Sequence, residues 1–127
     1  MTSEEWSRIK HFSSQEFDSP DLPGSGIGMQ LEFMLKLDQL RNRLGQPLQI
    51  VSGIRSPIHN AEVGGVDGSA HVGGYAADVY TRASMLRYKI LYVALSDGLF
   101  RRIGVGKSFI HLDCDPTKPQ DVVWLYS

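Results

Sequence analysis

Hydrophobic side chains recur at a helical spacing in two segments of the chain. In residues 27–44 they fall on one face of a helix, at Phe33, Leu37, Leu40 and Leu44. Gly45 suits the end of that helix, because glycine readily adopts the left-handed conformation of a helix C-terminus. Residues 83–97 show a similar pattern, and Gly98 ends it. The pattern therefore predicts helices over residues 27–44 and 83–97.

Shorter apolar runs, bounded by glycine, proline and other turn residues, predict strands. They cover residues 48–52, 75–80, 102–106, 108–113 and 122–126. A third, short helix is expected to begin at Pro57, because Ser56 can cap it, and to end at Gly64. Helices and short strands in mixed order predict an α+β fold, with a small, mostly antiparallel sheet flanked by two or three helices.

Length and composition are those of one ordinary globular domain. A chain of 127 residues can form one hydrophobic core and is too short for two. We therefore expect a single domain over residues 1–127, with residues 1–10 as a loosely ordered leader. The net charge of −1 argues against binding to nucleic acid or to an anionic lipid surface. The single cysteine, Cys114, excludes an internal disulfide.

The segment from Gly68 to Val79 contains residues that can bind a metal ion. His71 and Asp78 lie seven residues apart with a glycine pair between them, and His111 follows in a predicted strand. The glycines let the chain fold back, so that the first two side chains can face one point. Two histidines and one carboxylate can bind zinc and leave one position for water.

Asp113 is expected on the same face of its strand as His111, because side chains two residues apart share a face. From there its carboxylate can contact a metal-bound water or hydrogen-bond the histidine. The spacing alone also allows a simpler interpretation. In it, His71 and Asp78 form local hydrogen bonds, and His111 is a partly buried structural residue.

Two motifs resemble the signature of the zinc D-Ala-D-Ala carboxypeptidases. Residues 69–78 read Ser-x-His-x-x-Gly-x-Ala-x-Asp, and residues 111–113 read His-x-Asp. Relatives of that family include vancomycin-resistance D,D-dipeptidases, phage L-Ala-D-Glu endolysins and the hedgehog signalling domain. Residues 12–17, 52–60 and 104–111 resemble the short branch found in phages and bacteria. The resemblance covers nearly the whole chain and implies a hedgehog/D,D-peptidase-like fold.

The resemblance implies that His71, Asp78 and His111 are the ligands of one Zn²⁺ per chain. It also implies that Arg55 holds a carboxylate or carbonyl oxygen of the substrate near the metal. A guanidinium suits that role, because it remains charged and can grip a carboxylate through two parallel hydrogen bonds.

Two further residues are candidates for the substrate-binding cleft. Ser69 belongs to the motif, although it also suits a role in fixing the loop through backbone hydrogen bonds. Tyr75 lies close to the predicted ligands in sequence. Trp124 and Tyr126, in the last predicted strand, are expected to pack in the core or at the edge of the sheet.

One departure from the family concerns the general base. Many relatives carry glutamate or histidine two or three residues before the last ligand, where this chain has Phe109 and Ser108. Neither of these side chains can take a proton from water. Asp113 is the nearest carboxylate on the expected face, so it is the predicted base, and orientation of His111 is its alternative role.

The resemblance predicts a zinc metallopeptidase that hydrolyses peptidoglycan stem peptides at or near D-alanine, as a carboxypeptidase or an endopeptidase. The alternative is a non-catalytic zinc-binding module, structural or peptide-binding, for example a phage virion component. The expected partner is a peptide, with no nucleic acid, no membrane insertion and a monomeric chain. Because the first residues do not resemble a signal peptide, we expect synthesis in the cytoplasm and delivery to the cell wall by phage lysis or another route.

Overall fold

Five strands form one mixed sheet within residues 1–126, the part of the chain that the computed structural model describes. They are β1 Ile50–Ser52, β2 Ala76–Tyr80, β3 Arg102–Val105, β4 Phe109–Asp113 and β5 Val122–Leu125. Their order across the sheet is β1-β2-β4-β3-β5. Neighbours pair antiparallel, except that β3 and β5 pair in parallel. The prediction of an α+β fold with a mostly antiparallel sheet is confirmed.

The helices precede and connect these strands. They are α1 Ser3–Ser7, α2 Leu31–Leu44, α3 Pro57–Glu62 and α4 Ser84–Ser96, with 3₁₀ helices at Ser14–Phe17 and Ser25–Gly28. The predicted caps of α3 are confirmed, because the Ser56 side chain accepts the His59 N–H and Pro57 occupies the first turn. No helix within residues 1–126 is long and apolar enough to cross a membrane.

The helix predicted over residues 27–44 begins later, at Leu31. The chain before it is extended at Gln30, whose backbone N–H donates to the Gly74 carbonyl at 3.0 Å. The side-chain amide of Gln30 donates to the Gly73 carbonyl at 3.0 Å. The start of α2 is therefore set by contacts with the glycine loop that follows His71, and these contacts cannot be read from helical periodicity.

Residues 1–10, predicted as a loosely ordered leader, instead contribute a helix and core contacts. The N-terminal amine of Met1 donates to the Ile27 carbonyl at 2.7 Å. The Trp6 ring lies 6.2 Å from the Phe17 ring, and Ile9 is buried in the core. These apolar residues attach the first ten residues to the rest of the fold.

The two faces of the sheet have different surroundings. Val79 and Leu112 are fully buried in the core formed with α2 and α4. Asp78, His111 and Asp113 alternate with them, so these polar side chains lie on the opposite face. The register pairs Asp78 of β2 with His111 of β4. One face of the sheet therefore stabilises the fold, and the other presents polar groups side by side.

Gly53 marks a close approach between the loop after β1 and the 3₁₀ helix that ends at Phe17. A Cβ at residue 53 would lie 2.5 Å from the Phe17 Cα and 2.6 Å from its carbonyl oxygen. These are backbone atoms, so they cannot turn aside as a flexible side chain can. Only glycine fits at this position without moving the loop.

We therefore expect Gly53→Ala to lower the free energy of unfolding by about 1–3 kcal/mol, the usual cost of overpacking. Urea denaturation monitored by circular dichroism measures the change. The matched control is Gly28→Ala, whose Cβ would approach only the flexible Cδ1 of Ile54, at 3.0 Å. Equal unfolding midpoints for the two variants would contradict the close approach.

Candidate metal centre

His71 is held in one orientation by the chain that precedes α3. It lies in the loop between α3 and β2 and is 3% exposed. Its Nδ1 lies 2.8 Å from the Gly53 carbonyl oxygen. Since that oxygen can only accept, Nδ1 carries the proton and donates it, and Nε2 presents a lone pair. The backbone N–H of Arg55 donates to the His71 carbonyl at 3.0 Å, which joins the two loops.

His111 projects from β4 and is held from its other ring nitrogen. Its Nε2 lies 2.6 Å from Oδ2 of Asp113, so the ring donates a proton to the carboxylate on that side. Nδ1 faces the opposite way, 3.0 Å from Oδ1 of Asp78 and 3.2 Å from Nε2 of His71. A neutral His111 therefore presents a second lone pair to the same point as His71.

Three donor atoms thus form a triangle: Nε2 of His71, Oδ1 of Asp78 and Nδ1 of His111. Its sides are 3.0, 3.2 and 3.3 Å. Ligands about 2.0–2.1 Å from a tetrahedral zinc ion lie about 3.3–3.4 Å from one another. The spacing and the donor types fit a metal ion, and this buried group can hold one. The three predicted residues therefore do bring their donor atoms to one point.

The charges around the triangle also favour a cation. Burial acts to raise the pKa of the Asp78 carboxyl, but hydrogen bonds and charge from His111 and His71 outweigh it and hold the pKa below its usual range. Burial likewise acts to lower the pKa of His111, yet Asp113 and Asp78 raise it above the usual value. The site therefore stabilises positive charge between two carboxylates, and a divalent ion satisfies the same requirement.

Asp113 is fully buried, and its contacts occupy both carboxylate oxygens. Oδ2 accepts from His111, and Oδ1 accepts from Arg102 Nε at 2.7 Å and from the Asp115 N–H at 3.1 Å. Burial acts to raise the pKa of Asp113, but the interaction with His111 prevails and lowers it. The carboxylate lies at Nε2, across the imidazole ring from the three donor atoms. Of the two roles left open by the sequence, this position favours orientation of His111.

Arg55 lies beside the donor group, as expected. Its Nη2 is 3.5 Å from Oδ2 of Asp78, the carboxylate oxygen that does not face the histidines. Its Nη1 and Nε donate to Asn60 Oδ1 and Ser52 Oγ, both at 3.3 Å. The guanidinium is therefore positioned by three side chains while 16% of the side chain stays exposed.

The donor group opens into a cleft of about 450 Å³. Ser69 lines it, and its hydroxyl accepts the His71 N–H at 3.2 Å, which fits the loop-fixing role considered from the sequence. Tyr75 lies outside the lining, so the geometry gives no support to its predicted contact with substrate.

Several cleft residues were not predicted as site residues, among them Arg102, Lys118, Trp124 and Tyr126. The Trp124 ring lies 5.3 Å from the His111 ring, and the Arg102 guanidinium lies 5.1 Å from the Trp124 ring centre. Gly104 leaves room for this wall, because a Cβ there would meet the two aromatic rings at 2.5–2.6 Å. Trp124 lies in β5, an edge strand of the sheet, as one of the two expected placements had it. The sequence did not show that Trp124 and Tyr126 also form a wall of the cleft.

The two aromatic residues were missed for one reason. Trp124 comes next to His111 only because β5 pairs in parallel with β3, opposite Gly104, while β3 pairs with β4. Because side chains alternate between the two faces of a strand, the sequence of β3 could have shown that Arg102 and Gly104 share a face, which is the face of the cleft. The sequence of a short strand does not show that the strand pairs in parallel with its neighbour.

We expect the protein to bind one zinc ion per chain, and His71→Ala and His111→Ala each to reduce the bound zinc to near zero at equal free zinc. Each substitution removes one corner of the triangle and leaves too few donors. Mass spectrometry under native conditions measures the stoichiometry.

His59→Ala is the matched control, because His59 is a histidine of α3 that lies outside the donor group. It should retain one zinc ion. Full zinc binding by the double variant of His71 and His111 would show that the triangle is not the metal site.

The chain resembles a known protein family over most of its length. A sequence model of the family described as Peptidase M15 matches residues 4–113. The matched span contains the three donor residues together with Arg55 and Asp113. Among curated proteins, no sequence matches the chain.

Proposed function

We propose, starting from the fact that this chain belongs to the peptidase M15 family, that it is a zinc metallopeptidase of the bacterial cell wall. It would hydrolyse peptidoglycan stem peptides at or near D-alanine and reach the wall by phage lysis or another route. The observation that carries the proposal is the triangle of donor atoms, with sides of 3.0–3.3 Å, at the base of an open cleft.

In this proposal, Nε2 of His71, Oδ1 of Asp78 and Nδ1 of His111 hold the zinc ion. Two imidazoles and one carboxylate are a donor set that leaves a coordination position for water. Zinc bound there would supply an activated water at neutral pH and would polarise the carbonyl of the scissile peptide.

Arg55 would bind a carboxylate or carbonyl oxygen of the substrate. Its present contacts with Ser52, Asn60 and Asp78 are 3.3–3.5 Å long, which exceeds the usual length of a good N–H···O hydrogen bond. One N–H can therefore turn to a substrate oxygen without the loss of a strong contact. The arginine remains charged throughout and holds the substrate beside the donor group.

Asp113 would act on His111. By accepting the Nε2 proton it fixes the tautomer whose Nδ1 lone pair faces the metal position, and it prevents rotation of the ring. Its role as general base stays a prediction. The contacts of its two oxygens favour the positioning role instead.

The same contacts favour a second candidate function, a zinc-containing peptide-binding module without turnover. The carboxylates that line the cleft, within the described residues, are Asp78 and Asp113. Asp78 belongs to the donor group, and Asp113 is held by His111 and Arg102. A hydrolase needs a proton acceptor near the attacking water, and a binding module does not.

Dye release from purified, dye-labelled cell wall separates these two functions. We expect the zinc-loaded protein to release dye, and we expect both a chelator and the His71→Ala substitution to abolish release. Mass spectrometry of the products from a defined stem pentapeptide then identifies the bond that is cut. Intact wall and intact pentapeptide after prolonged incubation with the zinc-loaded protein would rule out the hydrolase.

Asp113→Asn tests how that carboxylate acts. If it positions His111, we expect zinc affinity to fall by about 10–100-fold, the usual effect of losing such a partner. Activity should then recover at saturating zinc. Titration of zinc against both bound metal and turnover measures the two effects together.

The control is Asp121→Asn, which removes an exposed carboxylate paired with Arg101 at a distance from the cleft. This substitution should change neither the zinc affinity nor the turnover. A variant of Asp113 that holds zinc at full affinity and yet shows no turnover would assign the base role to Asp113 instead.

A further inference from the structure

The cleft contains more positively charged side chains than negatively charged ones. Arg55 pairs with Asp78, with 3.5 Å between Nη2 and Oδ2, and Arg102 pairs with Asp113, with 2.7 Å between Nε and Oδ1. Lys118 also lines the cleft. Within the part of the chain that the structure describes, its ammonium forms no ion pair. Cations thus exceed carboxylates before any charge of a metal ion is counted.

The loop that carries Lys118 contains no helix or strand and is held by hydrogen bonds within residues 115–120. Oδ1 of Asp115 accepts from the Thr117 N–H at 3.0 Å and from its hydroxyl at 2.7 Å. The Gln120 side-chain amide donates to the carbonyls of Asp115 and Lys118, both at 2.9 Å. The backbone of Lys118 is therefore fixed from both sides.

Arg102 connects this loop to the metal centre. Its Nη1 donates to the Pro119 carbonyl at 2.6 Å, while its Nε donates to Asp113, which holds His111. Arg102 is thus committed to positioning other groups, and Arg55 lies beside the donor group, where it is paired with Asp78. Lys118 is the cleft cation that forms no ion pair among the described residues.

We propose that Lys118 binds a carboxylate of the substrate and makes the cleft specific for anionic peptides. The inference rests on the proposed function, because it concerns the same cleft. A stem peptide offers this group at its C-terminus and at the α-carboxylate of a γ-linked D-glutamate. An ammonium on a preordered loop gains a favourable contact with such a group, and the surplus of positive charge attracts it.

The kinetic test compares two pairs of stem peptides. The first pair ends in a free carboxylate or a C-terminal amide, and the second contains D-isoglutamate or D-isoglutamine. We expect the protein to prefer the acid of one pair by about 10–100-fold in kcat/KM, the usual range for a hydrogen bond to a charged group. The pair that shows the preference identifies which carboxylate is bound.

Lys118→Met keeps the length of the side chain and removes its charge. We expect this variant to cut acid and amide at similar rates and to bind one zinc ion with an unchanged unfolding midpoint. Lys89→Met is the matched control, because Lys89 is exposed on α4 and lies outside the cleft lining. It should retain the full preference.

A binding measurement keeps the inference separate from catalysis. N-acetyl-D-alanine and N-acetyl-D-glutamine carry the two carboxylates and have no D-alanyl-D-alanine bond to cut. Titration of the zinc-loaded protein with these probes and with their C-terminal amides, followed by NMR, gives the acid-to-amide ratio of dissociation constants without turnover. We expect a ratio above about ten for one probe and a ratio near one in Lys118→Met.

The outcomes distinguish the two hypotheses. A ratio that depends on Lys118 without any cleavage of wall or peptide would support the inference and contradict the peptidase. Cleavage without an acid preference would support the peptidase and overturn the inference. A preference that persists in Lys118→Met would also overturn it, because the carboxylate would then bind to the metal ion or to Arg55.

Discussion

The site depends on the imidazole of His111, which is held between two carboxylates. Asp113 accepts its Nε2 proton at 2.6 Å, and Asp78 faces its Nδ1 at 3.0 Å. This arrangement fixes both the orientation and the tautomer of the ring. With His71 held in the same way by the Gly53 carbonyl, two lone pairs and one carboxylate oxygen are directed to a common point. Such a group of donors favours positive charge, and it can hold a metal ion.

The sheet makes this arrangement possible through the alternation of its side chains. Pairing of β2 with β4 brings Asp78 opposite His111, and the residues between them on the other face are packed in the core. The core therefore holds the ligands at a set distance. Gly53 and Gly74 add to this by close backbone approach: Gly53 lies against Phe17, and Gly74 lies against the extended chain before α2.

The charges of the cleft have a consistent order from its base to its loop. Asp78 and Asp113 lie next to the histidines, Arg55 and Arg102 pair with those carboxylates, and Lys118 comes last without a partner among the described residues. Each carboxylate near the donor group thus contacts both a histidine and an arginine, and these contacts favour its ionised form.

The sequence by itself determined most of the elements and the donor set. Periodicity located α2 and α4, alternation put Asp113 beside His111, and the motif identified His71, Asp78 and His111, because these signals lie within short stretches of chain. Only the tertiary structure decided that α2 starts at Leu31, that Trp124 and Tyr126 form a cleft wall, and that both oxygens of Asp113 are occupied. Those features arise from contacts between segments distant in sequence, above all the parallel pairing of β3 with β5, and local patterns carry no information about such pairing.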